Sequence, residues 1–182
     1  MLTGSRPLLP PAALAVACCL AVRTGVAEDR GPDGTLAPSA YAIRIAHQAT
    51  ADTLRRVLDG ARDRLAKPGC EAVLDDFRDR QGRPLRTSLE STGLSPHGYL
   101  GYVVFYDGSK HPRCGNRGIL AVAAPGSRVV YVCPEQLRDR ARRNPVWAEA
   151  TLIHEMLHTL GLGENPPASQ EITSRVIQRC RR

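Results

Sequence analysis

Internal repeats and low-complexity tracts are absent from this sequence, which excludes a repeat array or a compositionally disordered polymer. Long apolar stretches are absent too, apart from residues 8–22, a run too short for a comfortable membrane span. Aromatic residues are few, 4% of the chain, and none interleaves the two concentrated basic stretches at 138–143 and 175–182. A stacking platform for nucleic acid therefore has no signature here, and no nucleic-acid partner is expected. What is present is the composition of a globular protein. The 182 residues, 42% hydrophobic and 24% charged, are enough for one domain with a real core.

Residues 1–27 read as an export signal. Arg6 supplies a charge, residues 8–22 are apolar, and residues 24–27 end in small side chains, so cleavage is expected after Ala27. An uncleaved anchor is the alternative, as is lipid attachment at Cys18 or Cys19. Without Arg6 and Arg23 the chain keeps 23 Lys+Arg against 18 Asp+Glu, a modest basic excess that reads as solvated helix faces and a tail.

Four cysteines remain beyond the leader: Cys70, Cys114, Cys133 and Cys180. An even number in an exported chain predicts two disulfides. The favoured pairing joins Cys114 to Cys133, as a clamp between neighbouring strands, and Cys70 to Cys180, tying the C-terminal tail to the front. Each restricts the unfolded chain by about 2–4 kcal/mol. A secreted or periplasmic monomer is expected, with no stable membrane span after cleavage.

Residues 28–40, rich in Gly, Pro, Asp and Ala without periodicity, read as a flexible linker, with the folded domain spanning 41–182. Leu54, Val57, Leu58, Ala61 and Leu65 recur at helical steps until Pro68-Gly69, predicting a helix over 50–66. Val73, Leu74 and Phe77 suggest a short second helix, and Leu85 with Leu89 a turn or two more. Residues 99–106, dense in aromatic and β-branched side chains, read as a strand whose edge is open to an extended peptide. Two further short strands, 119–123 and 128–132, flank the turn pair Pro125-Gly126. A polar helix at 135–142, a helix opened by Asn144-Pro145 and a last helix at 169–180 complete the reading. The predicted class is α+β, a small mainly antiparallel sheet packed with helices.

The chemistry concentrates in residues 151–165, T-L-I-H-E-M-L-H-T-L-G-L-G-E-N. Helical spacing stacks His154 and His158 one turn apart on one face, where two imidazoles can grip one metal ion. Zinc accepts neutral imidazole nitrogen at about 2.0–2.1 Å and carboxylate oxygen at about 2.0–2.2 Å, and a catalytic zinc keeps one position open for water. Glu155, beside the first histidine, is placed to act as base toward that water. Gly161 and Gly163 stop the helix. His97 and His111 are considered for polarising a carbonyl, but isolated loop histidines are more often surface residues, and His47 has less to recommend it.

These residues resemble the active-site helix and turn of the zincin metallopeptidases. The likeness is strongest to the metzincins, with H-E-x-x-H-x-x-G-x-x-H: His154, Glu155, His158 and Gly161 fall on matching positions, and Glu164 stands where a metzincin has its third histidine. The resemblance implies one zinc ion held by His154, His158 and Glu164, which a left-handed turn at Gly161 would swing back to the ion, with Glu155 as general base; by likeness to the gluzincins, Glu171 in the last predicted helix is the other candidate for third ligand. Two departures are plain. Met1 and Met156 are the only methionines, so the methionine turn is missing, and no tyrosine follows Tyr131. The deuterolysin-type order is similar as well, but no aspartate follows His158. The expectation is an exported zinc-dependent endopeptidase acting on peptide or protein substrates. A catalytically idle zincin-like binding module and a metal-free disulfide-bonded envelope protein are the alternatives.

Overall fold

The computed structural model describes residues 41–181 together with Met1, so the expected leader and linker otherwise lie outside the described residues. The first ordered element is β1 (Ala42–Arg44), followed by the long helix α1 (Gln48–Leu65). His47 caps α1, its Nδ1 accepting the N–H of Thr50, which starts the helix two residues earlier than periodicity alone suggests. Two single-turn helices, α2 (Pro68–Glu71) and α3 (Val73–Asp76), lead through a tight turn to α4 (Leu85–Glu90).

Residues 99–106 are not one strand. Ser95 caps a helix by accepting the N–H of Gly98, Pro96 occupies its first turn, and α5 (Pro96–Tyr102) buries Tyr99 and Leu100. Cap and proline chemistry thus override the β-propensity of the tyrosines. Only Val104–Asp107 forms the strand, β2. A 3-10 turn (Pro112–Gly115), the hairpin of β3 (Ala121–Ala123) and β4 (Val129–Val132), and helices α6 (Pro134–Arg143), α7 (Pro145–Thr159) and α8 (Ser169–Arg179) follow.

The fold is α+β, as expected, but the sheet is mixed and mostly parallel. Its order is β1-β2-β4-β3: β1 with β2 and β2 with β4 run parallel, and only β3 with β4 is antiparallel. The turn at Pro125-Gly126 specifies the hairpin locally, whereas parallel pairs need long crossovers that leave no local trace. One consequence corrects the expected peptide edge. β2 lies inside the sheet, between β1 and β4, and the edge beside α7 is β3.

Phe105, Val130 and Val132 project from the sheet into a core shared with Leu54, Leu58 and Leu65 of α1 and Leu152, Ile153, Met156 and Leu157 of α7. Inside it, Glu149 of α7 pairs with the buried Arg64 of α1, and Arg64 Nη1 donates to the carbonyl of Cys180 at 2.7 Å. Gly60 makes room for this pair, because a Cβ there would lie 2.5 Å from the Glu149 carboxylate. The disulfides pair as expected. Cys70–Cys180 staples α2 to the end of α8, while Cys114–Cys133 joins the 3-10 turn to the N-cap of α6 rather than strand to strand. Among the described residues no helix is long and apolar enough to cross a membrane.

Candidate metal centre

Helix α7 starts where the sequence predicts, with Asn144 accepting the N–H of Trp147 at 3.0 Å and Pro145 in the first turn. It is packed between α1, α6, α8 and β3, so even its polar residues His154, Glu155 and His158 are buried. The helix ends in a complete Schellman cap: Gly161 N–H bonds to His158 O at 2.9 Å and Leu162 N–H to Leu157 O at 3.2 Å. Gly161 carries the left-handed turn at φ +111°, and an added Cβ would also meet Asp79 Cβ at 3.1 Å. Asp79 belongs to the turn before α4. Its carboxylate accepts the N–H groups of Gln81 and Arg83 and the Arg83 guanidinium, and it is bridged to Leu162.

This cap does more than end a helix. It presents the carbonyl of Leu162 to His158 Nδ1 at 2.8 Å, and a carbonyl can only accept, so His158 carries its proton on Nδ1. On the other ring, Nδ1 of His154 lies 2.8 Å from Thr173 Oγ1 of α8. Thr173 donates its own hydroxyl proton to Ser169 O, so it accepts from His154 Nδ1. Both rings therefore turn an unprotonated Nε2 toward one point, with the two nitrogens 2.9 Å apart. Two facing lone pairs are an arrangement that a cation can bridge.

Glu164 supplies the third donor. Its Oε1 lies 3.6 Å from His154 Nε2 and 3.5 Å from His158 Nε2. A point equidistant from three atoms so spaced is about 1.9 Å from each, beside roughly 2.0–2.2 Å for zinc–imidazole and zinc–carboxylate bonds. The residues fit a small divalent ion. Glu171 is elsewhere: it sits exposed in the first turn of α8, and the cluster of possible ligands among the described residues is His154, His158 and Glu164.

The electrostatics suit the same arrangement. Without a metal, a proton on His154 facing Glu164 holds the Glu164 carboxyl at about 2, against the opposing effect of partial burial, so it is anionic at neutral pH and a cation can take that proton's place. Burial lowers the His158 pKa below its ordinary value, which favours the neutral ring that metals bind. Burial also pushes Glu155 up to about 8, only partly offset by a hydrogen bond from the backbone of Ala123. An acid balanced near neutrality beside a ligand cluster is a common property of catalytic groups.

A cleft of about 380 Å³ opens over the cluster, walled by β3 on one side and by Trp147, Thr151 and Gln170 on the other. His47, His97 and His111 do not line it. His47 caps α1, and His111 caps the 3-10 turn and stacks on Tyr131. Thr173, the Leu162 carbonyl and Arg113 are site components that the sequence reading missed. The Leu162 carbonyl has a signal in Gly161, whose cap dictates where the next carbonyl points; Thr173 and Arg113 arrive from distant elements. No protein-family model, no curated protein and no solved structure matches this chain.

Proposed function

We propose that the protein is a zinc-dependent endopeptidase of zincin type, acting outside the reducing cytoplasm. One observation carries the reading: two buried imidazoles with committed Nδ1 protons face each other through Nε2 at 2.9 Å, with a glutamate oxygen completing the triangle. His154, His158 and Glu164 would hold one Zn²⁺ and leave its cleft-facing side open. When bound, the ion would supply a Lewis acid that lowers the pKa of water and polarises a peptide carbonyl.

Glu155 then does the proton work. It projects from the turn of α7 between the histidines, accepts a proton from the attacking water and passes it to the leaving amine. Its hydrogen bond to Ala123 ties it to the sheet edge. That edge supports substrate binding by strand addition. Leu120 O accepts from Cys133 N, so alternation along the antiparallel pair turns the amides of Ala121 and Ala123 away from β4; that of Ala123 is taken by Glu155, and that of Ala121 is left for a substrate strand. The two disulfides support an oxidising compartment, and a secreted or periplasmic location follows on this reading.

The test is elemental analysis of the purified, oxidised protein together with cleavage of a denatured-protein substrate. About one zinc per chain, chelator-sensitive cleavage, and a Glu155→Ala variant that keeps the metal but loses cleavage are expected. Zinc without cleavage would leave a binding module, and absence of metal after zinc is supplied would overturn the proposal.

A further inference from the structure

Arg113 lines the cleft from the 3-10 turn at Pro112–Gly115. Among the described residues lining the cleft it is the one with a permanent positive charge. Its backbone is mounted firmly. Pro112 opens the 3-10 turn, His111 accepts the Arg113 N–H, Cys114 is bonded to Cys133, and Gln136 Nε2 donates to Cys114 O at 2.7 Å. The guanidinium, by contrast, is held loosely. It is half exposed, and its ion pair is a long 3.8 Å contact from Nη2 to Glu164 Oε2, the oxygen turned away from the histidines.

A pair so long and so exposed contributes little to folding, so stability accounts poorly for a rigidly mounted arginine here. Charge sharing gives it another task. Once Glu164 Oε1 is neutralised by a cation, Oε2 attracts Arg113 less, and the planar fork of donors is free to serve another anion in the cleft.

Resting on the zinc reading above, we propose that Arg113 is a specificity-determining residue that selects substrates with a carboxylate next to the scissile bond. The carboxylate belongs to an acidic side chain before that bond, as suits an endopeptidase; preference for a chain end just after the bond would instead mark a carboxypeptidase, and the experiment separates the two. The carboxylate would form a charge-assisted bidentate pair with Arg113.

The experiment measures binding of hydroxamates to the zinc-loaded protein by calorimetry. N-acetylglutamate α-hydroxamate carries the side-chain acid, and succinic monohydroxamate the terminal one; each is compared with its uncharged carboxamide. At least one acid is expected to bind roughly tenfold or more tightly than its carboxamide. Arg113→Gln should erase that preference while zinc content, thermal midpoint and carboxamide affinity stay unchanged, and Arg113→Lys should keep part of it. Which acid is preferred distinguishes the side-chain source from the terminal one. Equal binding of acids and carboxamides, or a preference that survives Arg113→Gln, overturns the proposal for Arg113 alone. A protein that takes up no zinc, or binds none of the probes, overturns the zinc reading and this one with it.

Discussion

Glu155 should leave a signature in the stability of the metal-free protein. Its folded-state pKa of about 8 stands above the ordinary 4.5, so between those values the folded chain binds a proton that the unfolded chain does not. Stability from this group is therefore complete below about pH 4.5 and lost as pH rises through 8. At about 1.36 kcal/mol per pKa unit, the total is roughly 5 kcal/mol, of which about 2 kcal/mol falls between pH 6.5 and pH 9. Other site groups are quiet in that interval. His158, lowered below 6.5, gives stability that is complete above 6.5 and lost only toward acid, and Glu164, lowered to about 2, loses its contribution at still lower pH. The assay is urea unfolding with disulfides intact and chelator present, at pH 6.5 and pH 9, for wild type and Glu155→Gln. The glutamine keeps an oxygen for the Ala123 N–H but cannot ionise. Wild type should lose about 2 kcal/mol more than the variant over this range. Equal slopes in the two proteins would refute the burial argument for Glu155.

Three further outcomes follow from the geometry. Glu164→Gln should weaken zinc binding by about a hundredfold or more, whereas Glu171→Gln should leave it unchanged; calorimetric titration of both variants separates the two candidates for third ligand. Thr173→Val removes the acceptor that fixes the His154 tautomer, so zinc affinity should fall roughly 10–100-fold with the fold intact by circular dichroism. Gly161→Ala forces a side chain into a left-handed turn and against Asp79, and should lower unfolding free energy by roughly 1–3 kcal/mol while weakening zinc binding through Leu162.

The sequence reading succeeded where causes are local. Asn144 and Pro145 start α7 and Gly161 ends it through backbone chemistry confined to a few residues, so the stacking of His154 over His158 and the return of Glu164 could be anticipated. The cysteine pairing was also legible, since four thiols allow few partners. The errors share a different origin. β1 is three residues long and finds β2 only after α1 has crossed over, so neither its existence nor the parallel pairing has a nearby signal. Tyr99 and Tyr102 look like strand residues until Ser95 and Pro96 are recognised as the opening of a helix. Thr173 reaches His154 because α8 packs on α7, a tertiary fact that no spacing within residues 151–165 encodes.

The staple joins Cys70 to Cys180 across a sequence separation of 110, and the span it closes includes the cleft, the sheet edge and the whole of α7. On the proposed peptidase reading, self-cleavage at any loop in that span would leave the pieces covalently joined. A nicked molecule would travel on a non-reducing gel as one band and fall into two only when thiol is added. Preparations should therefore be compared with and without reductant before intactness is inferred from a single band, and a nicked form held together in this way could keep its metal ligands in register.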